Sequence, residues 1–245
     1  MLDIRPEDLI HKSYLNRLLI EIIDRPALAQ GLIFKGGSCA AMLGYLDRFS
    51  VDLDFDVSSQ ANEAFLRQEF YQTFQNLGLV VTREINQALF FQIRYPSEPG
   101  RRSTLKVSAS NIQVHANQHK AQYLAEIDRL ANCQTIETMF ANKLVAVRDR
   151  FQMHRTIAGR DIYDIHHFFV HGYSYHAPVI EERTGLGPKA YLQELVIFIR
   201  EHVTQTTINE DLNTLLSPGR FQQICKILIP ETLSLLAREL EKPGD

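Results

Sequence analysis

The run VDLDFDV, Val51 to Val57, constrains this chain more than any other stretch, because apolar residues at 51, 53, 55 and 57 alternate strictly with aspartates at 52, 54 and 56. Such alternation marks a strand buried on one face, so Asp52 and Asp54 share one side while Val51, Leu53, Phe55 and Val57 occupy the other. A rise of ~3.3 Å per residue sets the two carboxylates ~7 Å apart, from where they can converge on one or two hard cations. Asp56 continues the face and is expected to be a polar residue where the strand leaves the sheet. Upstream, Leu32-Ile33-Phe34 reads as a short strand entering Gly36-Gly37-Ser38 at the start of a helix, where backbone N–H groups favour an anionic phosphate. Gly-Gly alone is common in turns, and Asp-x-Asp alone is often a solvated edge. In this order, a phosphate cradle ahead of a divalent-metal site is the equipment of phosphoryl or nucleotidyl transfer.

Gly36-Gly37-Ser38 followed by Arg48-Phe49-Ser50-x-Asp52-Leu53-Asp54-Phe55 resembles the signature of the AbiEii/AbiGii toxin family, a branch of the DNA polymerase β-like nucleotidyltransferases. Asn142-Lys143-Leu144-x-Ala146-x-Arg148 and Arg160-Asp161-Ile162-Tyr163-Asp164 resemble the family's later lysine and aspartate motifs, so the likeness runs from about Ile33 to Phe169. The acidic motif marks only the superfamily; the Arg-Phe-Ser and Arg-Asp-x-Tyr-Asp elements are more specific.

The resemblance implies a Mg²⁺-dependent enzyme that moves NMP from an NTP to an acceptor hydroxyl, as the toxin of a toxin–antitoxin or phage-defence pair. By it, Asp52 and Asp54 hold Mg²⁺, Gly36, Gly37 and Ser38 hold the outer phosphates, and Lys143 faces the triphosphate. Arg148 assists Lys143 or braces its helix, and of Asp161 and Asp164 one is catalytic while the other braces Arg160 or Arg148. The implied acceptor is RNA, notably tRNA, and the implied partner is an antitoxin. A small-molecule nucleotidyltransferase and an inactive nucleotide-binding module are the competing readings. Superfamily members commonly carry a third carboxylate on a later strand, whereas the corresponding segment here, Leu105 to Ser110, has no acid and places Ser108 there. Either Asp161 or Asp164 substitutes, or the two-aspartate site works without a dedicated base, or the protein only binds.

A chain of 245 residues, 45% hydrophobic, can bury a full core as one large or two modest domains. Three scattered cysteines, Cys39, Cys133 and Cys225, offer neither a disulfide framework nor zinc spacing, which points to a reduced cytosol. With no signal-like N-terminus and no apolar run of membrane-spanning length, a soluble cytoplasmic protein is expected. A net charge of −3 argues against indiscriminate nucleic-acid binding, yet two basic segments stand out. One holds Lys143, Arg148, Arg150, Arg155 and Arg160 against Asp149 alone; the other holds Arg94, Arg101, Arg102 and Lys106 against Glu98. Either could neutralise a triphosphate or track RNA, or simply form a solvated face. The histidines at 154, 166, 167, 171 and 176 read as an ordinary polar helix end, not a metal site, and Phe168-Phe169 as that helix's core anchor.

Periodicity predicts helices over 9–23, 39–46 and 62–77, and strands over 79–85, 88–94 and 103–109. From about Ile136 the pattern turns helical, with Thr135 as N-cap, then helices over 160–170, 191–203, 211–216 and 221–240, the last kinked or divided at Pro230. The expected fold class is α+β: residues 1–130 as a nucleotidyltransferase-like mixed sheet flanked by helices, and 131–245 as a helical half completing the active site.

Overall fold

The computed structural model describes residues 4–242, which divide into two compact units. The first runs to Gln113 and includes His119–Thr135; the second takes Val114–Gln118 and the chain from Ile136 onward.

The first unit is built in the order α1 (Leu9–Asp24), α2 (Pro26–Gly31), β1 (Leu32–Lys35), α3 (Gly36–Met42), β2 (Asp52–Val57), α4 (Glu63–Asn76), β3 (Val80–Ile85), β4 (Leu89–Arg94), β5 (Thr104–Ser110), β6 (His119–Leu124) and β7 (Arg129–Gln134). These strands form one mixed sheet in the order β3-β4-β5-β2-β1-β7-β6, with β2–β5 and β1–β7 parallel and the remaining pairs antiparallel. Proline ends no helix at position 26; it opens α2, where its missing N–H costs nothing. Asn62 caps α4 by accepting from Phe65 N at 3.1 Å. One sheet face is apolar at its centre: Leu53, Phe55, Phe91, Ile93, Leu105 and Val107 are fully buried. Phe70 and Phe74 of α4 pack on Phe91 with ring centroids 5.3 and 5.2 Å away. The opposite face carries Asp52, Asp54 and Asp56.

His11 of α1 ties this core to the acidic strand. Its Nε2–H donates to Val51 O at 2.9 Å, and Nδ1 lies 2.8 Å from the Tyr95 hydroxyl, so the ring fixes the chain where it enters β2. Burial holds its pKa down to about 4 against the usual 6.5, the Val51 bond opposing and Arg102 adding to the depression. Between those values the unfolded chain binds a proton that the folded protein refuses. This contribution is therefore complete above pH 6.5 and lost as pH falls toward 4, up to roughly 3 kcal/mol. Urea unfolding at pH 7 and pH 4.5 should show His11→Asn less stable at neutral pH yet with a flatter pH dependence; parallel curves would remove His11 as the cause.

The second unit contains α5 (Ile136–His154), α6 (Gly159–Val170), α7 (Ala177–Thr184), α8 (Pro188–His202), α9 (Gln205–Leu212), α10 (Pro218–Ile224) and α11 (Leu228–Glu241). Phe140 of α5 centres its core, within 5.1 Å of Phe168, 4.8 Å of Phe169 and 5.8 Å of Tyr175 between centroids. The helix expected over 211–216 lies earlier, because Thr204 caps α9 through Thr207 N. The division expected at Pro230 falls at 225–227, and Pro230 sits in the first turn of α11, where proline is tolerated. Among the described residues no helix is long and apolar enough to cross a membrane.

Candidate active site

The acidic strand β2 lies between β1 and β5, and both neighbours contribute to the surroundings of its carboxylates. Register puts Lys35 and Ser108 on either side of Asp54, Lys106 beside Asp52, and Ser110 beside Asp56. Asp52 and Asp54 are half-buried on the polar face, as the alternation requires. Ser108 donates to Asp54 Oδ1 at 2.6 Å, so the position expected to hold a third acid instead supplies a hydroxyl that orients the second.

The turn between β1 and α3 is shaped around Asp54. Gly36 has φ +77°, and a β-carbon there would stand 2.8 Å from Asp54 Oδ2 and 3.1 Å from Asp54 Cβ. Gly37 is confined from the other side: its β-carbon would meet Arg48 Nη2 at 2.8 Å and Ser50 Oγ at 2.9 Å. Arg48 is itself buried and donates to Phe49 O at 3.0 Å. The Arg-Phe-Ser element therefore has a physical reason, which is to back the Gly-Gly turn. Ser38 is buried and its hydroxyl donates to the Asp52 carbonyl, joining α3 to β2. No side chain caps α3, so its first backbone N–H groups stay uncapped by side chains at the end of the helix that faces the turn.

Asp56 corrects an expectation. It is not a solvated strand end: it is buried, accepts from Lys35 Nζ at 2.5 Å and Gln134 Nε2 at 2.6 Å, and thereby links β2 to β1 and β7. The carboxylates that remain for a metal are Asp52 and Asp54. Among the described residues no cluster of three His, Cys, Asp or Glu side chains is placed to hold a metal ion. Two hard oxygen donors on one face fit Mg²⁺, which is typically held by one or two carboxylates together with water and substrate phosphate. The space kept open at Asp54 Oδ2 by Gly36 agrees with that donor set.

The helical unit holds a second constellation. Lys143 of α5 reaches Asp161 Oδ1 at 2.9 Å and Asp164 Oδ2 at 3.1 Å, both on α6, and both acids are almost wholly shielded from solvent. Arg150, two turns beyond Lys143, adds a contact to Asp161 Oδ2 at 3.2 Å. Burial by itself would raise the Asp161 carboxyl, but Lys143, Arg150 and more distant Arg160 outweigh it and hold the pKa to about 2. Three residues of spacing thus do set Asp161 and Asp164 on one side of α6, toward a shared cation.

The other basic residues of this stretch are engaged elsewhere. Arg148 pairs with Glu194 and lies 5.4 Å over the Tyr191 ring, bracing α5 on α8. Arg160 donates from its backbone and its guanidinium to Asp211 at 2.9 and 2.8 Å, so Asp211 closes the start of α6. Gly159 allows that approach, since a β-carbon there would stand 2.8 Å from Thr207 O. The partner bracing Asp161 is therefore Arg150, not Arg148, and not Arg160 at contact distance. Its spacing of seven from Lys143 on one helix was the available signal. His167 and His171 stack with centroids 3.9 Å apart, and His166 lies 2.8 Å from Glu231.

The family model for the nucleotidyl transferase AbiEii toxin, type IV TA system, matches residues 17–222. Among solved structures, JHP933 from Helicobacter pylori is 20% identical with a TM-score of 0.57, covering 98% of this chain and 95% of that one. MenT4, a nucleotidyltransferase toxin from Mycobacterium tuberculosis H37Rv, is 16% identical with a TM-score of 0.58, covering 98% and 87%. At these identities the structural likeness establishes the fold. No curated protein matches the sequence.

Proposed function

Because this chain belongs to the AbiEii family of nucleotidyltransferase toxins, we propose that it transfers NMP from an NTP to a hydroxyl of RNA, with tRNA the leading acceptor, as the toxin of a toxin–antitoxin or phage-defence pair. The observation that carries this reading is the fit between Asp54 and Gly36: a turn that admits no side chain sits against the carboxylate and presents helix-start N–H groups next to it. Asp52 and Asp54 would hold Mg²⁺, whose chemistry is to neutralise charge developing on the α-phosphate. The backbone of Gly36 and Gly37 takes the outer phosphates. Ser38 holds β2 in place through the Asp52 carbonyl.

Lys143 is the cation that the family resemblance assigns to the triphosphate, fixed in direction by Asp161 and Asp164. With its pKa near 2, Asp161 is too weak a base at neutral pH to remove a proton from the acceptor hydroxyl. Ser108, already donating to Asp54, is no base either; the proton of the acceptor hydroxyl passes to water or to the departing pyrophosphate. The cognate antitoxin is a separate protein, and the setting we infer is the cytoplasm.

The test is incubation with total tRNA, Mg²⁺ and each labelled NTP in turn. Label on RNA supports the proposal. Label appearing on an added aminoglycoside-type alcohol instead of RNA would replace it with small-molecule transfer, and NTP binding without label in any product would replace it with a binding module.

A further inference from the structure

The sheet face that bears Asp52 and Asp54 continues across three more strands. Cross-strand partners share a face, so Asp52 pairs with Lys106, Lys106 with Gln92, and Gln92 with Arg83, in one row from β2 to the edge strand β3. Arg94 lies on the same face one step along β4, opposite Thr104. Phe90 lies one step the other way, opposite Ser108. Arg83 reaches this side only because the β3–β4 register shifts between Val81 and Arg83. Without that extra residue Arg83 would take the side that Glu84 now occupies, where Glu84 bonds Arg67 and Tyr71 of α4.

Arg83, Arg94 and Lys106 are exposed, and their side chains make no hydrogen bond or ion pair among the described residues. No acid lies on this face of β3, β4 or β5. That separates them from the basic stretch at 143–160, where Lys143, Arg148, Arg150 and Arg160 are all matched to carboxylates. In a protein of net charge −3, three unmatched cations and a half-buried aromatic ring form a patch across β5, β4 and β3, about 10 Å wide at ~4.8 Å per strand step, beginning beside Asp52 and Asp54.

We propose that this open face receives the acceptor: a single-stranded RNA 3′ end lies across β5, β4 and β3, its phosphates on Lys106, Arg94 and Arg83 and a base against Phe90, so that its terminal hydroxyl arrives at Asp52 and Asp54. The inference rests on the RNA-acceptor reading above. Unpaired cations beside an aromatic are the means by which proteins hold single strands without reading sequence. A small alcohol would need one pocket, not a charged row three strands wide.

The experiment compares wild type with Arg83→Gln/Arg94→Gln, using fluorescently labelled total tRNA as the probe. Both side chains are solvent-exposed and away from Asp52 and Asp54, so the melting temperature should stay unchanged. The expected result is at least tenfold weaker binding at 50 mM salt and a slope of log K against log salt that is shallower by about 1.4. KM for RNA should rise with kcat and NTP affinity preserved, and Arg83→Lys/Arg94→Lys should restore binding. Wild type labelling tRNA while the Gln pair binds and labels it equally well would overturn this surface and leave the RNA reading standing. Wild type that neither binds nor labels tRNA would overturn both.

Discussion

Asp54→Asn is expected to abolish nucleotidyl transfer while leaving the protein folded. The side chain is half-buried on the polar face, and an Asn carbonyl still accepts from Ser108, so urea unfolding should shift by less than about 1 kcal/mol. What the variant should lose is one of the two charges proposed to hold Mg²⁺. Metal stabilisation of a developing phosphoryl charge is worth several kcal/mol, which at 1.36 kcal/mol per decade is on the order of 10³-fold in kcat. Asp52→Asn should behave alike, and Asp56→Asn should not: it removes the charge that Lys35 and Gln134 hold between β1, β2 and β7, and its effect should appear in stability. Turnover of Asp54→Asn within tenfold of wild type, measured as label incorporated at saturating Mg²⁺, would end the two-aspartate mechanism.

The second large effect is on folding. Lys143→Ala leaves Asp161 and Asp164 buried with the shared ammonium gone, and breaking a buried pair by removing one partner costs about 3–5 kcal/mol. Arg150 still reaches Asp161 in this variant. Lys143→Ala/Asp164→Asn should recover part of the lost stability, because it removes one of the two carboxylates that the ammonium contacts. Thermal unfolding of wild type and the two variants at pH 7 checks this. A single mutant as stable as wild type at pH 7 would mean that Lys143 does not neutralise these acids.

How much of this was legible in the sequence depends on where a residue's partner sits. The Asp52–Asp54 face could be read because strand alternation is local, and the expected strands at 79–85, 88–94 and 103–109 lie within a residue of β3, β4 and β5. The β6–β7 hairpin was missed because HKAQYL and RLANCQ do not alternate cleanly, their burial coming from pairing with one another and with β1. Asp56 misled because its partner Gln134 stands 78 positions away. The register shift beside Thr82 leaves no mark in composition, yet it decides which side of the sheet Arg83 faces. Asp161 and Asp164 were findable as a pair by helical spacing; that a single lysine answers both was a matter of packing between α5 and α6.

The central strand β1 has its two edges completed at very different times. Its partner β2 begins within twenty residues, but parallel pairing with β7 joins Phe34 to Cys133. A ribosome adding about 5–20 residues per second needs roughly 5–20 s to cover that distance. From the completion of β2 until that point the nascent chain carries Gly36, Asp52 and Asp54, while one row of backbone donors and acceptors on β1 still lacks its β7 partner. During its own synthesis this toxin therefore offers a template for strand addition that the finished protein no longer has, and a segment able to occupy the place of β7 would meet it only in that window.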